Sequence, residues 1–138
     1  MSLKDNFSEY TVEISPKYIN HFMFVLDYFD KQSFYEIIST KSILDNMIQH
    51  GFRLPVKVPY PIIRKFVKTI RKLPHTNYFL SADCRGYMKI NETEDGLKWR
   101  QSMVERIASM QSQIRAFDKK FNYSEPKNEE SNLQLLSL

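Results

Sequence analysis

Five cations recur on one side of a single predicted helix. At the helical turn of ~100° per residue, Arg64, Lys65, Lys68, Arg71 and Lys72 fall within an arc of roughly 120°. Ile62, Ile63, Phe66, Val67, Ile70 and Leu73 take the opposite side. A row of fixed positive charge with no acid beside it suits a polyanion, because each phosphate it meets releases condensed counterions. Arg53 and Lys57 precede the row, and the 37 residues from Asn46 to Ala82 contain no Asp or Glu. That span carries +7 and the rest of the chain −3, so the overall +4 conceals a polarised molecule. Lys and Arg fill all five positions of the helical face, which favours phosphate contact over base readout. Tyr60, Thr69, His75 and Asn77 stand where they can supplement it.

Other chemistries find little support. The three glycines, Gly51, Gly86 and Gly96, are too scattered for a phosphate-cradling loop. His21, His50 and His75 have no i,i+4 partner among themselves and no acid at ligand spacing; His21, beside an apolar run, is expected to be a partly buried structural residue. A single cysteine, Cys84, permits no intramolecular disulfide and no thiolate metal cluster, which fits a reducing compartment. No serine lies in a nucleophile-elbow context. The expectation is a protein with no catalytic residues, no metal and no cofactor. The N-terminus lacks the pattern of a signal peptide, and the longest apolar run, Phe22 to Leu26, is far short of a spanning helix. A soluble chain is expected, cytoplasmic and nucleoid-associated, or nuclear in a eukaryote.

The elements that must position the cations can be read from punctuation. Ser15-Pro16 opens a helix over about 16–30, with Ile19, Phe22, Met23, Leu26 and Phe29 at helical spacing and Phe24, Val25 and Tyr28 widening the stripe. Residues 34–38, aromatic and β-branched, suit a brief strand. Ser39 or Thr40 can cap a second helix that ends at Gly51. Pro61 opens the cationic helix and Pro74 stops it. Strands over 77–82 and 87–90 flank the turn residues Asp83-Cys84-Arg85-Gly86. Asn91 with Glu94 forms a capping-box pattern, Thr93 is a second cap candidate, and a last helix runs from about 94 to 121.

The order helix, strand, helix, helix, strand, turn, strand, long helix resembles a winged helix-turn-helix domain over roughly residues 16–121. The stretch Gly86-Tyr87-Met88-Lys89-Ile90-Asn91-Glu92-Thr93-Glu94-Asp95-Gly96-Leu97 resembles the return strand of the wing and the turn into the last helix in PadR, MarR and related regulators. The fold class expected is mostly α with a small β-hairpin (α+β). The resemblance implies that the cationic helix meets the major groove, with Arg85 at the wing tip and Lys89 just behind it. About nine residues separate the second and third helices, where a compact helix-turn-helix uses 3–4, so no base-reading positions are carried over. The expected nucleic-acid set is therefore Arg53, Lys57, Arg64, Lys65, Lys68, Arg71, Lys72, Arg85 and Lys89, with double-stranded DNA as the partner. A transcriptional regulator and a plasmid- or virus-encoded replication or partition factor both fit. The alternative is a winged-helix docking module whose basic surface meets an acidic protein. RNA ranks lowest, because no exposed aromatics for base stacking are evident on the third helix.

The last helix offers a partner surface of its own. Met103, Ile107, Met110, Ile114, Phe117 and Phe121 are spaced 4, 3, 4, 3, 4, which is a coiled-coil seam. A homodimer through this dimerisation helix is expected, placing two basic helices for half-sites ~34 Å apart. Leu97 and Trp99 precede the seam and are expected to lock the helix onto its own domain. The organisation expected is an N-terminal arm over 1–14, a winged core over 15–93, the dimerisation helix over 94–122 and a disordered tail over 123–138.

Overall fold

Residues 13–126 are described by the computed structural model. Most of the arm expected over 1–14 and of the tail expected over 123–138 lies outside the described residues. The chain divides after Glu92 into two units. The described residues are mixed α+β, with four α-helices and one three-stranded antiparallel sheet.

In the first unit, Pro16 begins a single 3-10 turn, Pro16–Tyr18, which leads into α1, Ile19–Asp30. The Ser15 hydroxyl makes no cap; the Ser15 carbonyl instead accepts from the Tyr18 N–H at 2.8 Å. Phe22, Val25, Leu26 and Phe29 are buried at helical spacing, whereas Met23 is exposed, so the stripe is narrower than the sequence suggests. Strand β1 is only Ile37–Ile38, shorter than the expected 34–38. Tyr35 adopts φ 63, a left-handed conformation that interrupts an extended run. Helix α2, Thr40–Gln49, has its start capped by Ser39, whose Oγ accepts from the Ser42 N–H at 3.1 Å. At its other end Gly51 takes φ 82; the Gly51 N–H donates to the Ile48 carbonyl at 3.1 Å and the Phe52 N–H to the Met47 carbonyl at 2.8 Å. These are the paired bonds of a Schellman stop.

Helix α3 is Tyr60–Lys72, and it ends at an extended Leu73. Strands β2, Phe79–Asp83, and β3, Gly86–Ile90, pair from Asp83↔Gly86 back to Phe79↔Ile90, leaving Cys84 and Arg85 in the turn. β1 joins the other side of β3 through Ile37↔Met88 and Ile38↔Tyr87, so the expected hairpin is part of a sheet ordered β1-β3-β2. Edge-on rings tie the elements together: Phe22 meets Phe66 at 5.6 Å and Phe29 meets Tyr87 at 6.1 Å.

One buried phenol gives the unit a pH dependence. The Tyr78 hydroxyl donates to Asp30 Oδ1 at 2.5 Å. Burial, then the Asp30 hydrogen bond and charge, push its pKa far above the ordinary value, and burial raises Tyr28 and Tyr87 as well. A phenol whose folded pKa exceeds its unfolded value of about 10 adds stability that is complete below that pH and is lost above it. Thermal midpoints are therefore expected to fall above about pH 10, with phenolate absorbance appearing together with loss of circular dichroism. Full phenolate absorbance at unchanged dichroism would contradict this.

The second unit is built on α4, Glu94–Phe121, whose 28 residues span ~42 Å. Thr93 stands at its N-cap position. Asn91, the expected cap, has its Oδ1 engaged by the Tyr35 hydroxyl at 2.7 Å. Glu94 and Asp95 in the first turn and Lys119 and Lys120 in the last suit the helix dipole. Leu97, expected to be covered, is exposed. The helix stops at Asn122, left-handed at φ 50, and the Tyr123 N–H returns to the Asp118 carbonyl at 2.9 Å. No described helix is long and apolar enough to cross a membrane.

Candidate nucleic-acid interface

Helix α3 separates its two faces sharply. Ile63, Phe66, Val67 and Ile70 are almost completely buried, and they fix the helix against the rest of its unit. Arg64, Lys65 and Lys68 point the other way and are exposed. No carboxylate among the described residues forms an ion pair with any of the three. Burial of the apolar side thus holds three uncompensated cations on one surface within ~6 Å of axial rise.

The other cations of the helix are occupied. Arg71 is half-buried: its Nε donates to the Leu80 carbonyl at 2.6 Å, and its guanidinium lies 5.2 Å from the Phe79 ring. Burial lowers its pKa, although a guanidinium stays charged. Arg71 ties α3 to β2 and is not a free contact, because it lies at the edge of the arc beside the sheet. Lys72 is half-exposed, 4.0 Å from Glu13, an acid that lies far away in sequence. Thr69 is buried and supplements nothing. Tyr60, His75 and Asn77 are exposed.

The hairpin departs further from expectation. Arg85 is exposed at the turn, but its Nη2 contacts Asp83 Oδ2 at 2.9 Å and its backbone N–H donates to Asp83 Oδ1 at 2.7 Å. The side-chain bond from Arg85, then its backbone bond, hold the Asp83 carboxyl below its usual pKa. The turn therefore presents a compensated pair. Lys89 is not a surface residue at all, being only 3% exposed. Its Nζ donates to the carbonyls of Asp30 at 3.1 Å and Gln32 at 2.9 Å, and lies 4.5 Å from the Tyr78 ring and 4.7 Å from that of Phe34. Burial lowers its pKa, but two carbonyls and two ring faces stabilise the cation there. Lys89 fastens β3 to the end of α1.

Arg53 and Lys57 are exposed on the connection between α2 and α3. They rim a shallow groove of about 200 Å³ with Leu44, Ile48 and Val56. The Arg53 carbonyl lies 3.2 Å from His21 Nε2, which accounts for the partly buried histidine as a structural residue. A second, larger cleft of about 440 Å³ runs between the start of α2, the first turns of α3 and the hairpin. It brings together Lys41, Tyr60, Arg64 and Arg85. Lys41 is the residue the sequence reading missed. Its place just inside the Ser39 cap was the available signal; in the structure its Nζ lies 3.2 Å from Asp45 Oδ2 one turn later.

No cluster of described His, Cys, Asp and Glu residues has the arrangement of a metal centre. Cys84 is free and exposed at the hairpin turn. No protein-family model matches the chain, and no curated protein or solved structure matches it either.

Proposed function

We propose that this chain is a DNA-binding protein of winged helix-turn-helix architecture, meeting duplex DNA through the exposed face of α3. The observation that carries the reading is the trio Arg64, Lys65 and Lys68, exposed, free of ion pairs with described residues, and backed by a buried apolar face. One feature adds support, the order of the first seven elements; the cleft beside Arg64 also holds Lys41 and Arg85, each already paired with an acid, Asp45 and Asp83. Contact is dominated by phosphate, because lysine and arginine supply the face and no Asn or Gln stands on it. Regulation of transcription, replication and partition are roles compatible with such a surface.

The groove beside Arg53 and Lys57 favours a second reading, a module that docks an acidic, apolar peptide. Fluorescence anisotropy with a duplex at several salt concentrations separates the two. Duplex binding is expected to weaken log-linearly with salt, at a slope of about −0.9 per phosphate neutralised. Absence of salt-dependent binding would sink the DNA reading and leave the docking module.

A further inference from the structure

Helix α4 ends in a surface that the described chain leaves open. Phe117 is 56% exposed, Phe121 62% and Tyr123 50%. The three nonetheless touch one another: Phe117 and Phe121 at 4.9 Å, Phe117 and Tyr123 at 6.5 Å. The left-handed Asn122 makes this possible by turning the chain so that Tyr123 comes back over the last helical turn. At 150–250 Å² per aromatic side chain, these rings leave roughly 300 Å² uncovered. That alone equals the largest apolar patch of many monomers. Ile107, Met110 and Ile114, each 38–55% exposed, continue it along the helix.

We infer that α4 joins two copies of this chain in a parallel two-stranded coiled coil over residues 103–121, closed at its C-terminal end by the Phe117–Phe121–Tyr123 cluster of each copy. This does not rest on the nucleic-acid reading. The occupant is a second copy because the stripe repeats with one heptad register along a single unbroken helix, so it is complementary to itself and two copies in the same register cover each other along its length. Spacing of 4, 3, 4, 3, 4 places Ile107, Ile114 and Phe121 at a, and Met103, Met110 and Phe117 at d. β-Branched residues at a favour two parallel strands when Leu fills d; Ile107 and Ile114 supply the β-branched half of that pattern, with the unbranched Met103 and Met110 in the place of Leu. The flanking positions oppose nothing in that register: Arg106 would face Gln111 of the second copy, and Gln113 would face Asp118. One turn before Met103, the a position is Arg100, where two like charges would meet, so the seam begins after it. An apolar area on the order of 600 Å² per copy brings the pair to the low end of stable interfaces, about 1,200 Å² in total.

The test uses the full chain with Cys84→Ser, which removes disulfide dimers through the exposed hairpin cysteine. At micromolar concentration it is expected to sediment at twice the chain mass. Ile114→Asp should raise the dissociation constant at least tenfold, while Ile114→Leu should retain the dimer. Introducing Ile107→Cys should give a rapid disulfide between identical positions, since parallel a residues face each other, whereas in an antiparallel pair position 107 faces a d residue. A monomeric parent protein overturns the inference, as does a dimer that survives both Ile114→Asp and Phe121→Asp. A dimer in which Ile107→Cys fails to cross-link overturns the parallel arrangement.

Discussion

Replacing Arg64, Lys65 and Lys68 together by alanine is expected to weaken duplex binding by on the order of 10²–10³-fold at 0.1 M salt, and to flatten the salt slope by about three units. The magnitude follows if each side chain neutralises one phosphate. All three are exposed and without ion pairs among the described residues, so their removal breaks no described salt bridge. Stability should therefore stay within about 0.5 kcal/mol of the parent, which separates lost contact from lost fold. Two comparison variants sharpen the result. Lys89→Met removes a cation that never reaches solvent and should leave the salt slope unchanged, at a cost in stability. Asp83→Asn releases Arg85 from its partner and should strengthen binding slightly. A triple variant that binds with the parent's affinity and slope would remove α3 as the contact surface. Equal losses from Lys89→Met and from each α3 substitution would instead mean that sequence position, and not exposure, decides which cations count.

That contrast also measures how far the sequence could be read. Helices α2 and α3 were legible to within a residue or two because their ends are local chemistry: Ser39 caps, Gly51 turns left-handed, Pro61 opens and Pro74 stops. The apolar face of α3 was legible for the same reason, since its periodicity is carried by consecutive residues. What could not be read was pairing across the chain. Lys72 meets Glu13 from outside the acid-free span, and Arg71 turns to the Leu80 carbonyl. Strand β1 shrank because Tyr35 is held left-handed, its N–H on the Lys89 carbonyl and its hydroxyl on Asn91. Lys89 carried a usable signal that its charge obscured. In a strand with period two it shares a face with Tyr87, and Tyr87 points into the core.

Gly86→Ala is expected to destabilise the first unit by about 3 kcal/mol, far more than the same change at Gly51, and the difference is one of neighbours. Both glycines have positive φ, +82 at Gly51 and +144 at Gly86, so both pay for a side chain in backbone strain. At Gly51 a new Cβ would meet nothing within 4 Å. Its cost is the left-handed penalty, about 1–2 kcal/mol, reduced by the ~0.4–1 kcal/mol that alanine removes from the freedom of the unfolded chain. At Gly86 the Cβ would run into the carbonyl oxygen of Ile38 and come within 2.9 Å of the Ile38 carbonyl carbon and the Ser39 Cα. These are backbone atoms with no rotamer to yield, so β1 must separate from β3. Separation breaks the Ile37↔Met88 and Ile38↔Tyr87 pairing and displaces Ser39, the residue that caps α2. Turn chemistry alone suggested Gly86 as a hairpin residue, whereas its neighbours make it the point where the third strand closes on the sheet. Urea midpoints of the two variants, measured side by side, check the argument. Equal shifts would mean that φ accounts for both glycines and that the close approach of β1 costs nothing.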